Sequence, residues 1–202
     1  MASTVLYLIR HGRVVGSEAR RFIGHLDVPL APEGEAQMRI LAGRLARVPF
    51  VAVYSSDLAR ARRSAELVAA PHGLEPGIVP ALREMAMGRW EGLTAEEIQA
   101  REPGAFSEWR SRIGDFRFPE GESVPELLAR CWPVVERVLS SHSGERVALV
   151  AHGGTNRAIL CRALGLSLER LLGLGQDYGA LSLVEWDGER WRLRALNNGE
   201  AG

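Results

Sequence analysis

Val5-Leu6-Tyr7-Leu8-Ile9-Arg10-His11-Gly12, close to the start of the chain, is a short apolar run that stops at an arginine, a histidine and a glycine. A run this short, hydrophobic at successive rather than alternate positions, reads as a strand buried on both faces of a sheet. Val51-Ala52-Val53-Tyr54 and Val147-Ala148-Leu149-Val150 have the same character. Helical periodicity surrounds them, over Pro32 to Arg47, Asp57 to Ala70, Ala95 to Arg101, Pro125 to Ser140 and Asn156 to Leu164. Strands that alternate with helices build βαβ units. The expected fold is therefore α/β: a three-layer α/β/α sandwich around a mostly parallel, doubly wound sheet. Near the C-terminus, Leu181 to Trp186 and Trp191 to Arg194 flank Asp187-Gly188-Glu189-Arg190, and the Asp-Gly pair predicts a hairpin that closes the sheet on an antiparallel edge.

The chain has 202 residues, within the size that one core supports, so a single domain spanning residues 1–202 is expected. A hydrophobic content of 46% leaves ample material for that core. The 25 basic residues balance the 25 acidic ones, which removes the usual electrostatic reason to expect a nucleic-acid or membrane-surface partner. Any anion binding must be local. No apolar run approaches the roughly 20 residues of a spanning helix. Val5 to Ile9 has neither a basic stretch before it nor a small-residue cleavage site after it. Cys131 and Cys161 fall in different helical stretches without ligand spacing, so they read as small core residues of a protein in a reducing, cytoplasmic compartment.

Gly12 to Ala31 and Pro103 to Glu122 are the long irregular stretches, and such loops in a compact fold usually carry function. The second, with Phe106, Trp109, Phe116 and Phe118 among arginines, reads either as a lid over a substrate or as a packed cap. Pro133 is expected to kink or split its helix. His72 and His142 are expected at the surface, and His25 is left open.

Chemistry concentrates where strands end. In an open α/β sheet, ligands bind at the carboxyl ends of the strands, and two strands here end in histidine followed by glycine: Arg10-His11-Gly12 and Ala151-His152-Gly153-Gly154. Glycine lets backbone approach a ligand, and a helix starting after His152 offers N–H donors to an anion. The strand at Val51 to Tyr54 leads into Ser55-Ser56-Asp57-Leu58-Ala59-Arg60, which sets Arg60 in the first turn of its helix, near the same rim as Arg10. Two guanidiniums around a histidine favour a phosphate pocket, because each binds phosphate bidentately and stays charged. Phosphoryl transfer needs chiefly positioning and charge stabilisation over the equatorial oxygens. Which histidine attacks stays open on these grounds. Arg62 and Arg63 read as a solvated helix face.

The motifs then compose a pattern. Arg10-His11-Gly12, Gly24-His25-Leu26-Asp27-Val28-Pro29-Leu30, Ser55 to Ala61, Leu82-Arg83-Glu84 with Gly88 to Thr94, Gly121-Glu122-Ser123 and His152-Gly153-Gly154 occur in order across nearly the whole chain. Taken together they resemble the histidine phosphatase superfamily, also called phosphoglycerate mutase-like. The resemblance implies that His11 is the nucleophile, that Glu84 handles the leaving-group proton and that His152, Arg10 and Arg60 hold phosphate. It also implies a cap-like insertion around 84–122 and no metal or cofactor. Gly12, Arg13, Ser17, Gly24, Arg83 and Gly153 are the candidate substrate contacts. Guanidinium charges beside His11 disfavour its protonated form, as a nucleophile requires, while His152 can remain cationic against bound phosphate. A phosphate dianion beside Glu84 favours the protonated acid that a leaving alcohol needs.

Departures from the family pattern bear on the substrate. Arg13 and Val14 stand where many members carry an acidic or amide residue and a threonine, and Ser17 stands, by ungapped count, where mutases place an asparagine. Arg13, with Arg20 and Arg21, meets an acidic substrate group or covers surface. Glu84 is followed by Met85-Ala86-Met87-Gly88 instead of the mutases' Arg-His-Tyr-Gly run, which favours a phosphatase over a mutase. A catalytically silent phosphate-binding protein is opposed by the complete set of five residues. A metal hydrolase using His11, His152 and Glu84 is opposed by the adjacent arginines. The expected partner is a small-molecule phosphate ester such as a sugar phosphate, phosphoglycerate, phosphoserine or alpha-ribazole phosphate. A homodimer stays open.

Overall fold

In the computed structural model, which describes residues 3–199, one six-stranded sheet organises the chain. Strands β1 (Thr4–Arg10), β2 (Phe50–Ser55), β3 (Gly77–Ile78), β4 (Arg146–Ala151), β5 (Leu181–Trp186) and β6 (Trp191–Asn198) lie in the order β3-β2-β4-β1-β5-β6. The four on one side run parallel; β5 and β6 are antiparallel and form the expected edge hairpin. The helices are α1 (Pro32–Leu45), α2 (Ala59–Ala69), α3 (Ala95–Arg101), α4 (Ala105–Ser111), α5 (Val124–Ser141) and α6 (Gly153–Leu164).

Alternation along the strands explains the unbroken apolar runs. Tyr7, Ile9, Val53, Ala148 and Val150 point to one side and pack on Met38 and Leu41 of α1 and Ala65 and Val68 of α2. Leu6, Leu8, Val147, Leu149 and Ala151 point to the other and pack on Cys131 and Val135 of α5 and Ile159 and Leu160 of α6. Both faces are covered, so neither face can be polar. The result is the three-layer sandwich.

The winding of the chain positions the site. β1 and β4 are neighbours in register, with Arg10 opposite Ala151. The chain leaves β1 for α1 on one face and leaves β4 for α6 on the other, so a crevice opens at their carboxyl ends, where doubly wound folds bind ligands.

Several expectations differ in detail. The 103–122 stretch contains α4, whose Phe106 and Trp109, with Ile113 beyond, keep helical spacing on one face. With Phe22, Trp90, Phe116 and Phe118 they form a third apolar cluster, with Phe22 and Trp109 ring centroids 5.3 Å apart and Trp90 and Phe118 5.2 Å apart. These aromatics pack on one another. Helix α5 runs unbroken through Pro133, because Val134, Val135 and Val138 bury its sheet-facing side while Pro133 faces solvent, where the freed carbonyl can reach water. Strand β3 is only two residues long and gave no periodic signal. His72 and His142 are half-buried where full exposure was expected: His72 packs against Phe50, and His142 lies between the Tyr54 hydroxyl (2.9 Å) and Glu145 (3.2 Å). Both cysteines are buried, and burial pushes the Cys131 thiol up to about 12, as suits an inert core residue. Among the described residues no helix is long and apolar enough to cross a membrane.

Candidate active site

Strand ends deliver the two histidines side by side. The His11 backbone N–H donates to Ala151 O at 3.1 Å, and the rings of His11 and His152 lie 5.1 Å apart, centroid to centroid. His11 Nδ1 is 2.8 Å from Gly12 O. A carbonyl only accepts, so Nδ1 carries the proton and Nε2 keeps its lone pair. Burial, then the charges of Arg10 and Arg60, hold the His11 imidazole well below its usual range, so the neutral ring is the resting form. His152, the N-cap residue of α6, is fully buried; its Nε2 meets Ser56 Oγ at 2.7 Å and its Nδ1 has no partner. Burial and then the positive partners around it lower its proton affinity as well.

The cations are fixed from several directions. Arg60 is 1% exposed, and its guanidinium donates to Gly24 O and Leu26 O, both at 2.7 Å, which ties the loop before α1 to the start of α2. Each of those nitrogens carries a second N–H. The Arg10 guanidinium stacks 3.9 Å above the Tyr178 ring and donates to Gln176 O, while its Nε is buried without a partner. A buried, unpartnered donor on an arginine is costly unless an anion takes it up.

Glu84 takes a place that the sequence reserved for the ligand. The α6 N-terminus was expected to offer its N–H groups to an anion from outside. Instead Gly154 N–H donates to Glu84 Oε2 at 3.0 Å and Thr155 N–H to Oε1 at 3.2 Å, with Met85 N–H on the same Oε1 at 2.9 Å. The helix end thus anchors an internal carboxylate, for the same dipolar reason that it would bind a free one. The close approach depends on Gly154, where an added Cβ would come nearer than 3.0 Å to Glu84 Oε1. The Glu84 carbonyl is held in turn by His25 Nε2–H (2.8 Å) and by Arg130 (2.7 Å), which also pairs with Glu122 at 2.7 Å.

Together these groups wall a pocket of about 210 Å³ bounded by Arg10, His11, Gly24, Arg60, Glu84 and Tyr178, with Phe22 and Met87 at its side. Arg20 and Arg21 border it as well, and a small cavity with four guanidiniums, a neutral imidazole and a single carboxylate among its described walls is suited to an anion. Among the described residues no group of three or more histidine, cysteine or acidic side chains is placed to hold a metal ion.

A family model, the histidine phosphatase superfamily (branch 1), matches residues 6–199. The chain belongs to the histidine phosphatase superfamily. It is similar to the phosphoglycerate mutase-like protein 4 of Arabidopsis thaliana, 34% identical over 94% of this chain and 83% of that one. The metal-independent phosphoserine phosphatase of the same plant is 35% identical over 93% of this chain and 81% of its own length. Among solved structures, a mycobacterial glucosyl-3-phosphoglycerate phosphatase superposes with a TM-score of 0.90 at 30% identity, covering 96% of this chain and 99% of that one.

Set on this superfamily fold, the sequence candidates divide. His11, Arg10, Arg60, Glu84 and Gly24 meet at the pocket, and His152 lies buried beside His11. Arg13 and Ser17 line an adjoining hollow. Arg83 is turned to Asp57, in an ion pair of 2.7 and 2.5 Å, and borders neither cavity. Gly12 serves chain packing, since a Cβ there would strike the Gly34 carbonyl at the start of α1. Gly153 lies against Arg10 and Arg157. Sequence reasoning missed Tyr178, Ser56, Arg130 and the tethering role of His25. Ser56 stood inside a quoted motif. Tyr178 had no signal, because it reaches the site through backbone bonds between β1 and the loop before β5, Gly179 N–H to His11 O and Arg10 N–H to Ala180 O, each 3.0 Å.

Proposed function

We propose that this member is a phosphatase that hydrolyses a small-molecule phosphomonoester without metal, through a phosphohistidine at His11. The observation that carries this is the hydrogen bond from His11 Nδ1–H to Gly12 O, which leaves Nε2 as a neutral nucleophile on the wall of an arginine-lined pocket. His11 Nε2 attacks phosphorus, the P–O bond to the alcohol breaks, and Glu84 supplies the proton to the departing oxygen. Arg10, Arg60 and His152 take up the charge on the equatorial oxygens. Glu84, now a carboxylate, removes a proton from the attacking water, the P–N bond breaks, and inorganic phosphate leaves with His11 neutral again. The phosphatase names of two of the relatives support this reading, as does the absence of the mutases' run after Glu84.

The name of the mutase-like relative favours a second reading, phosphoryl transfer between positions of one substrate. Product analysis on 3-phosphoglycerate separates them: free phosphate supports hydrolysis, an isomer the alternative. The principal test is His11→Ala with p-nitrophenyl phosphate and acid-labile phosphoenzyme trapping. Turnover and the trapped adduct should both vanish. Retention of a tenth of the wild-type rate would overturn the assignment.

A further inference from the structure

Beyond Arg10 and Tyr178, the catalytic pocket adjoins a second hollow of about 650 Å³, some threefold larger than the 210 Å³ that surrounds His11. Arg10, Arg20, Arg21 and Tyr178 are walls of both cavities, so a molecule can lie across the two. Arg13 and Arg44 line the larger one alone, and Asp177 is its one acidic wall residue among the described residues. That carboxylate already accepts from Asn197 Nδ2 at 2.8 Å. In a chain whose formal net charge is zero, five arginines facing one carboxylate among the described residues concentrate positive charge at this hollow.

Several arginines of the chain meet an acid within ion-pair distance. Arg21 pairs with Glu97 at 2.7 Å. Arg13, Arg20 and Arg44 have no ion-pair partner among the described residues: Arg13 reaches only the Ser17 hydroxyl (3.4 Å) and Arg44 only Asn198 Oδ1 (3.1 Å). Arg20 is held at φ +50° on the 3-10 turn of Ser17–Ala19, a left-handed conformation that sets its side chain at the junction of the two hollows. Left-handed backbone at a non-glycine residue is uncommon and clusters at ligand sites.

We infer that the substrate carries a second anionic group, a carboxylate or second phosphoryl, on its leaving alcohol, and that Arg13, Arg20 and Arg44 receive it on the far side of Tyr178 while His11 attacks the first phosphoryl. The inference rests on the phosphatase reading and names its substrate class: phosphomonoesters of acidic alcohols, with the second anion several bonds from phosphorus. Guanidiniums suit both carboxylate and phosphate, through paired N–H donors. The hollow is larger than the transferred group needs, so the alcohol is the bulkier part of the molecule.

The probes are 6-phosphooxyhexanoate, hexane-1,6-diyl bisphosphate and the uncharged-tail control 6-hydroxyhexyl phosphate. Wild-type kcat/KM should favour the two acidic-tail esters over the control by about tenfold at low salt, and the preference should shrink as salt rises from about 0.05 to 0.5 M. Exposed guanidinium contacts are individually modest, so Arg20→Gln and Arg44→Gln should each cut that ratio by about twofold to fivefold, and the double variant more. A wild-type ratio near one, or a ratio unmoved in the double variant, overturns the inference. Calorimetric Kd values for the same three compounds need no turnover. If none is hydrolysed yet the Kd ratio persists and falls in the double variant, the phosphatase reading fails and the anion site stands; hydrolysis with no Kd or rate preference leaves the phosphatase and removes the site.

Discussion

Gly154→Ala separates the placement of Glu84 from the stability of the fold. An alanine Cβ at this position would stand closer than 3.0 Å to Glu84 Oε1 and 3.2 Å from its carboxyl carbon. Ordinary contact therefore requires the carboxylate to retreat by about 1 Å, and the end of a glutamate side chain can do so at small energetic cost. Gly154 lies in the first turn of α6, where alanine is the better helix former by roughly 0.5 to 1 kcal/mol, so Tm should hold or rise. The retreat costs the bonds from Gly154 N–H (3.0 Å) and Thr155 N–H (3.2 Å), and with them the angle at which Glu84 meets a leaving oxygen. A displacement of about 1 Å in a catalytic group typically costs on the order of a hundredfold. We expect kcat on an alkyl phosphate to fall by about that factor, kcat on p-nitrophenyl phosphate by clearly less, and the Kd for inorganic phosphate to change little. Steady-state kinetics on both esters, with thermal unfolding, checks it. A Gly154→Ala enzyme with undiminished alkyl phosphate turnover would refute the claim that the α6 N-terminus positions the proton donor.

Further outcomes follow from the same geometry. Glu84→Gln should lose about 10²- to 10⁴-fold on alkyl phosphates and less on p-nitrophenyl phosphate, with phosphoenzyme accumulating in rapid-quench experiments on the activated ester; equal losses without accumulation would make Glu84 structural. EDTA should leave the rate unchanged, and activity lost to the chelator but restored by zinc or magnesium would revive a metal mechanism. His11 and His152 are held neutral in the fold, whereas the unfolded chain protonates them near the usual 6.5, so the unfolded state binds more protons as pH falls below that value. Stability should therefore decline from pH 6.5 downward until the depressed folded values are reached, by up to about 1.4 kcal/mol per pH unit for each histidine. Urea unfolding of wild type and His152→Asn should show the shallower decline in the variant, and identical slopes would contradict it. Asp57, held low by its hydrogen bonds from Arg83, adds its own loss only below its ordinary 3.8.

The sequence carried the sheet well because burial on both faces leaves a signature in composition itself. Leu6 to Ile9 and Val147 to Ala151 are almost wholly inaccessible, and only successive apolar residues can satisfy two helical layers at once. Strand β3 pairs through only two residues, Gly77 and Ile78, too few to show any period. Helix α4 was hidden differently, since its aromatic face is compatible with a loop over a ligand until its neighbours Phe22 and Phe118 are seen to fill the space beneath it.

The site shows a sharper boundary between what local sequence encodes and what assembly adds. Residues that follow a strand directly, His11 and His152, have their direction set by the strand, and Arg60 has its direction set by the first turn of a helix. Their convergence could be read because parallel strands share one carboxyl edge. Glu84 sits in irregular chain, so its direction depends on Gly154 and Thr155, 70 and 71 residues away, and on the carbonyl tethers from His25 and Arg130. Hence the glycine pair after His152, taken at first as room for a ligand, is partly room for Glu84. The same free energy that would draw a phosphate to the α6 N-terminus is used to fix Glu84, the proposed proton donor. In the proposed mechanism phosphate is left to guanidinium and imidazole, and the buried Nε of Arg10 and Nδ1 of His152 have no partner among the described residues that would compete for them.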